Sequence, residues 1–505
     1  MDSSVQEQNR DLKTDGRRVL IYATTAYMIE RFNMMNIRML QEMGYTVDAA
    51  CNFEYGNPMS TESLEHFKSE LAALNVECIQ LPLNRNIFDL ARNGRAFIKS
   101  LRIMRERRYE FVHCHTPVGA VVARLACRLS GTPVIYTAHG FHFFKGAPRI
   151  NWLAYYPIEK ILSYITDVLI TINKEDHAIA EAKFGMKKIC YVPGIGIDMS
   201  KFSDAEPAVR TEGLQNSGQS VQAGMRKEAE LAEDISKNKE LPGKQGHNAE
   251  CGDSIRDMNY RDKLRSELGI PDDTMLILSV GELSKRKNYI SVLRALAAMQ
   301  SEFTDAGKCL SSECADVREP VPEDKPFGGK DEGGLKLSSG GEHFRDICYA
   351  IAGTGVYAEE FAGFISKHGL SNKVKLLGYR EDTAGLYKAA DVFLFPSYQE
   401  GLSAALMEAM ASGLPVAVSR IRGNTDLVDD KGGIMFEVGA EPKSIHDETV
   451  SDENIQAAIH KLMSFSVQEL RSMGEHNHNI IREGFSTDAV KSKLYDIYST
   501  MGRDK

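Results

Sequence analysis

The stretch DVFLFPSYQEGLSAALMEAMASGLPVAVS, residues 391–419, decides the fold class. It opens on a short run of β-branched and aromatic residues, continues through a segment rich in Ala, Leu and Met, and closes on a second apolar run. Two apolar strands joined by a helix are the unit of a parallel sheet. Glu400 and Glu408 interrupt the otherwise apolar helix. Because carboxylates near a core require partners, this unit predicts a binding site as well as a fold.

The same alternation of short apolar runs and helix-length segments extends along most of the chain. One series covers residues 18–24, 45–51, 76–82, 111–117, 133–139, 167–173 and 188–194, and a second covers 275–281, 346–353, 374–379, 391–397, 414–419 and 433–438. Strands spaced in this way predict parallel sheets wrapped by crossover helices. Two series predict an α/β fold with two doubly wound, Rossmann-like domains that face each other across a ligand cleft.

Two polar segments break the pattern and set the expected domain limits. They are rich in Gly, Lys and Glu and too poor in apolar residues to offset the entropy of ordering, so both are predicted to be flexible insertions. The prediction divides the chain into a disordered tail 1–16, an N-terminal domain 17–203, an insertion 204–258, a C-terminal domain 259–485 with an insertion 304–342, and a final helix 486–505. The final helix is expected to pack back on the N-terminal domain.

The composition excludes several classes of protein. The chain has 505 residues, 43% hydrophobic and 26% charged, as is typical of a soluble protein with a large core. Its net charge of −9 argues against a nucleic-acid partner. Its nine cysteines are dispersed without a CxxC pair, which indicates reduced thiols. No apolar run reaches the ~20 residues of a membrane span, and no signal peptide is evident. The expected location is the cytoplasm, with peripheral binding to the inner face of the plasma membrane left open.

The C-terminal half carries residues suited to a nucleotide diphosphate. In SVGELSKRKN, residues 279–288, Gly281 permits a sharp turn and Lys285, Arg286 and Lys287 add positive charge after a strand. In IAGTG, residues 351–355, Gly353 and Gly355 repeat the strand-then-glycine design one strand later. A basic loop alone is usually only solvated; its place at the end of a strand favours ligand binding.

Two further segments extend this candidate site. In YRED, residues 379–382, Tyr379 and Arg380 offer a ring and a guanidinium to a nucleotide base. After the next strand, the backbone N–H groups of Gly401, Leu402 and Ser403 are expected at a helix N-terminus beside Glu400, where they would favour an anion.

These motifs resemble those of the retaining glycosyltransferases of family 4, which have the GT-B fold. The resemblance rests on the glycine with a basic loop, the strand followed by AGTG, LGY, and PSxxEGLxxxxxEAMAxGxPV. The N-terminal half agrees, since HCHTPVGAVVAR, YTAHGFHFFKGAP, DVLITINKED and VPGIGID resemble the bacterial capsular and exopolysaccharide branch. The resemblance to the family covers residues 17–203 and 259–500, apart from the second insertion.

The resemblance implies a role for each matching residue. Glu400 would contact the donor sugar, Glu408 would accept both ribose hydroxyls, and Lys287 would bind the diphosphate and stabilise the departing nucleotide. His139 would face the donor sugar from the N-terminal domain; Glu400, His139 and Lys287 are thus the catalytic candidates. The implied donor-binding set is Gly281, Arg286, Lys287, Gly353, Gly355, Tyr379, Arg380, Glu400, Gly401, Leu402, Ser403 and Glu408, and the acceptor-side candidates are His113, His115 and His142.

One position departs from the family pattern. Glu282 stands where the family usually has Arg directly after the loop glycine. Because an anion beside a diphosphate is unfavourable unless it points away, Arg286 or Lys285 is expected to supply the second cation. The resemblance favours internal substitution on one face of the sugar, but a covalent intermediate on Glu400 stays open.

The implied activity is transfer of a sugar, with retention, from a nucleotide-diphosphate donor, expected to be UDP-linked. The implied acceptor is a polyprenyl-diphosphate-linked or other lipid-linked glycan of surface polysaccharide assembly. No Asp-x-Asp triplet is present, so no metal cofactor is expected, and fixed cations would stabilise the charge that builds on the β-phosphate.

Three alternatives belong to other classes. An NAD-dependent oxidoreductase requires GxGxxG after the first strand, where this chain has ATTAY, residues 23–27, and is set aside. A nucleotide-sugar epimerase of the same fold would need no acceptor. A non-catalytic scaffold that binds the nucleotide sugar is motivated by Glu282 and by the insertions; the intact candidate residues argue against it.

One basic segment bears on the acceptor. Residues 85–108 carry eight basic and two acidic side chains, a local net charge of +6. Leu90, Phe97, Ile98, Leu101 and Met104 recur at helical spacing and are expected to face the sheet. The outward cations then predict docking to an anionic membrane surface. Cations that only face water are the alternative.

Overall fold

The computed structural model describes residues 17–55, 59–202, 260–313, 346–442, 444–445 and 452–501. The predicted tail 1–16, the predicted insertion 204–258 and residues 314–342 of the second insertion lie outside the described residues. The limits 17–203 and 259–485 for the two domains therefore stay predictions.

Within the described residues, the N-terminal half forms a parallel sheet of seven strands. They are β1 (Arg18–Thr25), β2 (Thr46–Asn52), β3 (Glu77–Gln80), β4 (Phe111–His115), β5 (Val134–Ala138), β6 (Val168–Thr171) and β7 (Lys188–Tyr191). Their order across the sheet is β3-β2-β1-β4-β5-β6-β7. The helices are α1 (Ala26–Phe32), α2 (Met34–Glu42), α3 (Thr61–Ala73), α4 (Leu90–Arg107), α5 (Pro117–Ser130), α6 (Arg149–Ala154), α7 (Tyr156–Ser163) and α8 (Lys174–Lys183).

The C-terminal half repeats this design with a parallel sheet of six described strands. They are β8 (Thr274–Val280), β9 (Asp346–Ala352), β10 (Val374–Gly378), β11 (Val392–Phe395), β12 (Val416–Ser419) and β13 (Gly433–Phe436). Their order is β10-β9-β8-β11-β12-β13. The helices are α9 (Tyr260–Glu267), α10 (Tyr289–Glu313), α11 (Ala358–Lys367), α12 (Thr383–Ala389), α13 (Ala404–Ala411), α14 (Asn424–Leu427), α15 (Glu453–Ser464), α16 (Val467–Ile480) and α17 (Thr487–Met501). Two doubly wound parallel sheets confirm the predicted α/β class.

Helices cover both faces of each sheet, because the strands are apolar on both sides. In the N-terminal half, α1, α2 and α3 pack on one face, while α4, α5, α6 and α7 pack on the other. Local signals fix the helix ends: α16 begins with a capping box between Ser466 and Glu469, and α5 ends at Gly131 in the left-handed region.

The last helix returns to the N-terminal sheet. Tyr498 of α17 is fully buried, stacks on Phe111 at 5.6 Å between ring centroids and hydrogen-bonds His113 at 2.8 Å. The chain thus crosses between its halves twice, and its end is tied to the first half.

Two sequence predictions about helices are corrected. The predicted insertion 304–342 begins inside a helix, since α10 continues to Glu313. On α4, the side facing the sheet is formed by Asn93, Ala96, Ser100 and Met104. Leu90 and Ile98 are 77% and 60% exposed, because they lie off that line at helical spacing. The predicted inward stripe is therefore wrong for these two residues.

Both sheets have a position where neighbouring strands send their helices to opposite faces. In the N-terminal sheet β1 and β4 are these neighbours, and in the C-terminal sheet they are β8 and β11. The loops after such strands diverge and leave a crevice at the carboxyl edge, where open α/β sheets bind ligands.

Candidate active site

The crevice of the C-terminal sheet holds a charged cluster. Lys287, on the loop after β8, places Nζ 3.0 Å from Oε1 of Glu400, on the loop after β11. Nη1 of Arg286 lies 2.7 Å from the same oxygen. The Lys287 side chain is 10% exposed, and Nζ sits 4.5 Å over the centroid of the Phe395 ring. Burial lowers the pKa of Lys287 from 10.5, while Glu400 acts in the opposite direction.

Backbone contacts fix the two loops that carry this cluster. Tyr398 N–H donates to the carbonyl of Arg286 at 2.9 Å, and Asn288 Nδ2 donates to the carbonyl of Pro396 at 3.1 Å. Asn288 adopts φ 58°, which lets the basic turn end abruptly at α10. The charged side chains are therefore held by loops that hydrogen-bond each other.

The predicted donor-site glycines permit close approach of the loops after β8 and β9. A Cβ at Gly353 would lie 1.9 Å from the carbonyl oxygen of Gly281, and one at Gly355 would lie 2.3 Å from that of Leu283. Gly281 has φ 155°, and a Cβ there would lie 2.7 Å from Oη of Tyr289. Any side chain at these positions would push the loops apart.

The other two cations of the basic loop, Lys285 and Arg286, contact different carboxylates. Lys285 Nζ lies 3.4 Å from Glu441, away from the cluster, whereas Arg286 joins it. Of the two cations expected to replace the missing arginine, the structure brings only Arg286 to Glu400. Glu282 is exposed, and its charge raises the pKa of Lys287.

The predicted base-binding pair lies at the rim. Tyr379 is 73% exposed after β10, and Arg380 donates from Nε to Asp382 at 2.7 Å. The exposed ring is available for stacking, but the guanidinium already has a carboxylate partner.

The helix beside Glu400 begins later than predicted. Ser403 is its N-cap, accepting from Leu406 N–H at 3.4 Å, and α13 starts at Ala404. Gly401 and Leu402 thus lie in the loop before the helix, so the prediction that places their N–H groups at the helix N-terminus is wrong for these two residues, whereas Ser403 does lie there. Glu408 lies one turn into α13.

Glu408 occupies a partly buried position. Tyr387 Oη donates to its Oε2 at 3.1 Å. Burial raises the pKa of Glu408 from 4.5, and the bond from Tyr387 opposes that rise. One carboxylate oxygen is thus held by the protein, and Oε1 has no hydrogen bond recorded among the described residues.

The N-terminal sheet contributes a chain of buried histidines. His139 Nε2 lies 3.2 Å from His115 Nδ1. His113 hydrogen-bonds Tyr498 and Thr137, each at 2.8 Å. Burial lowers the pKa of His139 to about 4 and that of His113 to about 3, so both rings are neutral at physiological pH.

The histidine chain corrects part of the acceptor-side prediction. His113 and His115 are 0% and 2% exposed, so they lie beneath the cleft and support His139 rather than line the surface. His142 is exposed and stacks on Tyr155 at 4.4 Å between ring centroids, and it stays an acceptor-side prediction.

The two halves meet where these sites face each other. A Cβ at Gly401 would lie 3.1 Å from the carbonyl oxygen of His139, so glycine allows the donor loop to touch the histidine strand end. Leu402 packs against Gly194 from the N-terminal half. The loop that carries Glu400 therefore contacts the strand end that carries His139, and the roles of both residues stay predictions.

A cross-domain ion pair was missed from the sequence. Arg422, after β12, donates from Nη1 to Asp176 of α8 at 3.0 Å and from Nη2 to the carbonyl of Phe141 at 3.2 Å. The two charged side chains are 7% and 0% exposed. Nearby, Asp426 accepts from Lys174 N–H at 2.7 Å. No local signal in the sequence indicates this pairing.

In the part of the chain that the structure describes, no group of three His, Cys, Asp or Glu side chains is arranged to hold a metal ion. The expectation of a reaction without a metal cofactor stays a prediction.

Two family models match the chain. The model described as Glycosyltransferase Family 4 matches residues 29–201, and that described as Glycosyl transferases group 1 matches residues 338–451. The matched segments lie in the N-terminal and C-terminal halves, respectively.

Two curated relatives match over most of their length. EpsD of Bacillus subtilis, named as a glycosyltransferase, is 26% identical over 491 residues, 96% of each chain. The UDP-Gal:alpha-D-GlcNAc-diphosphoundecaprenol alpha-1,3-galactosyltransferase of Escherichia coli is 25% identical, covering 83% of this chain and 82% of that one.

Solved structures share the fold. Anabaena Alr3699/HepE, crystallised with UDP and glucose, superposes with a TM-score of 0.59 at 15% identity, covering 96% of this chain and 100% of that one. WaaG, a glycosyltransferase involved in lipopolysaccharide biosynthesis, gives a TM-score of 0.54 at 16% identity, covering 95% and 99%.

Proposed function

The chain belongs to the family 4 glycosyltransferases with the GT-B fold, and from that premise we propose that it transfers a sugar from a UDP-linked donor to a lipid-linked glycan. The proposed transfer retains the anomeric configuration. The proposed acceptor class is that printed in the name of the Escherichia coli relative, a sugar linked through diphosphate to undecaprenol. The proposed product is an intermediate of surface polysaccharide assembly.

One observation carries the proposal: Lys287, Arg286 and Glu400 converge at the crevice between β8 and β11. When the sugar leaves its nucleotide, negative charge builds on the β-phosphate, and fixed cations in a partly buried site stabilise that charge strongly. Glu400 holds both cations in place before the donor binds. A bound diphosphate would share them, leaving Glu400 to accept from sugar hydroxyls.

We also propose a contact for each end of the donor. Glu408, held through one oxygen by Tyr387, is suited to accept from the ribose hydroxyls. His139 faces the Glu400 loop from the other half and is neutral, so it can exchange hydrogen bonds with a sugar without adding charge. Retention by same-face substitution then requires no nucleophile from the protein.

The test is donor turnover. Purified protein is offered UDP-galactose, UDP-glucose and UDP-N-acetylglucosamine, each with and without GlcNAc linked through diphosphate to a polyprenol. We expect UDP release that depends on the acceptor and a product whose anomeric configuration, measured by NMR, matches the donor. Release that no acceptor on this panel increases would contradict transferase action on a lipid-linked glycan.

We also propose that the enzyme works on an anionic membrane surface. Of the thirteen large apolar side chains that the described residues expose, ten share one helix layer of the N-terminal half. They are Phe88, Leu90, Ile98, Leu125, Leu129, Ile150, Leu153, Tyr155, Ile161 and Tyr164. The same layer carries the basic face of α4, and apolar area combined with cations favours the bilayer interface.

Among the described residues, no helix is both long and apolar enough to cross a membrane. Sedimentation with phosphatidylglycerol vesicles tests surface binding. Neutralising Arg102, Arg105 and Arg108 to Gln should weaken it, whereas neutralising the exposed Lys367, Lys431 and Lys461 of the other half should not. Equal loss in both triple variants would contradict a specific membrane face.

A further inference from the structure

A second cavity opens at the carboxyl edge of the N-terminal sheet, away from the charged cluster. Its volume is about 260 Å³, and it is lined by Thr25, Tyr55, Leu83, Asn84, Arg85 and Arg92. Its walls come from the ends of β1, β2 and β3 and from the first turn of α4. It thus lies at the edge where parallel sheets bind ligands, beside strands that the donor site does not use.

The cavity carries positive charge. Arg85 and Arg92 are both exposed, and no carboxylate within 4.0 Å of Arg85 is found among the described residues. Arg92 lies 4.8 Å over the Tyr55 ring, and its Nε is 3.7 Å from Asp89. The Asp89 carboxylate also accepts two hydrogen bonds, from Asn84 Nδ2 at 2.8 Å and from the backbone N–H of Arg92 at 3.1 Å.

One residue that lines the same cavity, Thr25, also carries an unpaired polar atom. Thr25 is 2% exposed, and its Oγ1 has no hydrogen-bond partner among the described residues. An unpaired buried hydroxyl is costly in a folded protein. A hydroxyl and two guanidinium groups together match the oxygens of a phosphorylated ligand.

Two exposed apolar side chains lie between the cavity arginines in sequence and belong to the layer that we propose to meet the membrane. Phe88 and Leu90, which lie between the two arginines in sequence, are 85% and 77% exposed. A ligand whose anionic part enters the cavity could therefore keep a hydrocarbon chain at the bilayer. These two requirements describe a lipid diphosphate.

We propose that this cavity binds the diphosphate of the lipid-linked acceptor, through Arg85, Arg92 and Thr25. The inference rests on the proposed function, because it names the acceptor class of that same enzyme. The donor diphosphate would be held by the C-terminal half and the acceptor diphosphate by the N-terminal half. The acceptor sugar would then extend from the cavity towards His139.

The experiment measures binding without turnover. The protein is saturated with UDP, which fills the donor site, and farnesyl diphosphate binding is followed by calorimetry. Arg85→Gln/Arg92→Gln should weaken binding about tenfold or more, since each charge-assisted contact is strong. Thr25→Val should weaken it less. The control pair Lys367→Gln/Lys461→Gln, exposed in the other half, should change it less than about twofold.

Two further measurements distinguish binding of a lipid diphosphate from binding of membrane headgroups. Inorganic pyrophosphate should compete with farnesyl diphosphate, whereas farnesol should not bind in the same range. The proposal is overturned if Arg85→Gln/Arg92→Gln binds phosphatidylglycerol vesicles more weakly than the wild type but binds farnesyl diphosphate equally tightly. In that case the two arginines contact lipid headgroups only.

The proposal would also be overturned if the arginine pair and the control pair lost equal affinity for farnesyl diphosphate. Absence of farnesyl diphosphate binding to the UDP-loaded wild type would overturn it as well. Failure of the proposed function is distinguishable. In that case no donor gives acceptor-dependent UDP release, while the selective loss of farnesyl diphosphate binding in Arg85→Gln/Arg92→Gln remains.

Discussion

The two sheet edges that face each other at the active site differ in charge. At the C-terminal edge, Lys287 and Arg286 meet Glu400 within 3.0 Å and 2.7 Å. At the N-terminal edge, His115 and His139 are joined by a 3.2 Å contact, and burial lowers both of their pKa values. At the active site, two halves with one architecture thus present a charged surface and a neutral one, while the positively charged cavity of the N-terminal sheet lies apart from it, at the ends of β1, β2 and β3. An anionic leaving group fits the first, and an uncharged sugar fits the second.

The largest effect is expected where the two edges are joined. Arg422→Gln leaves Asp176 buried without its ion-pair partner, which should destabilise the protein by ~3 kcal/mol. Burial already raises the pKa of Asp176, and Arg422 opposes that rise. Chemical unfolding measures the loss.

The double variant Arg422→Gln/Asp176→Asn is the control, because it removes both charges. It should recover much of the stability that the single variant loses. If both variants unfold together, the ion pair does not hold the halves as described.

Removing the buried cation of the charged edge should cost slightly less. Lys287→Ala is expected to lower kcat/KM ~100-fold, as loss of one stabilising contact to a developing charge does elsewhere. Lys285→Ala, whose side chain contacts Glu441 instead, should retain most of its activity. A steady-state assay of UDP release compares them. Similar losses in the two variants would mean that general loop charge, and not Lys287, stabilises the leaving group.

A smaller effect is expected at Glu408, the proposed contact to the ribose. Glu408→Gln should reduce the preference for UDP over 2′-deoxy-UDP by roughly tenfold, since a charged acceptor is lost. Tyr387→Phe, which keeps the carboxylate, should retain the preference. Competition binding of the two nucleotides measures both. An unchanged preference in Glu408→Gln would place the ribose elsewhere.

The neutral edge should produce no pH dependence near neutrality. Because the pKa of His139 lies at about 4, the ring loses its proton well below pH 6 and stays neutral from there to pH 8. The catalytic rate should therefore show no inflection from His139 in that range, unlike an ordinary histidine with a pKa near ~6.5. An inflection that disappears in His139→Gln would contradict a neutral edge.

The sequence was sufficient for the fold because its signals are local and repeated. Continuous apolar runs such as that at 392–395 require burial on both faces, and a parallel sheet provides it. The positions of Gly281, Lys287 and Glu400 on loops after strands were likewise predictable, because the strands themselves were. Position at the carboxyl edge then brings them together.

Features that depend on contacts between distant segments were not predictable in this way. Nothing local to Arg422 or Asp176 reveals that they pair across the two halves. The burial of His113 depends on Tyr498, which lies 385 residues away. The start of α13 at Ala404 depends on the Ser403 side chain, which caps the helix. The residues before it, from Glu400 onwards, give no separate signal for where the helix begins.

The central claim is that the charged edge, and not the neutral one, binds the diphosphate of the donor. The most direct measurement is the affinity ratio of UDP to UMP for the wild type, Lys287→Ala and His139→Ala. Only UDP carries the β-phosphate, so the ratio isolates its contribution. We predict a ratio of about tenfold or more in the wild type, near unity in Lys287→Ala and unchanged in His139→Ala. A ratio that survives Lys287→Ala, or that is lost in His139→Ala, would contradict the account.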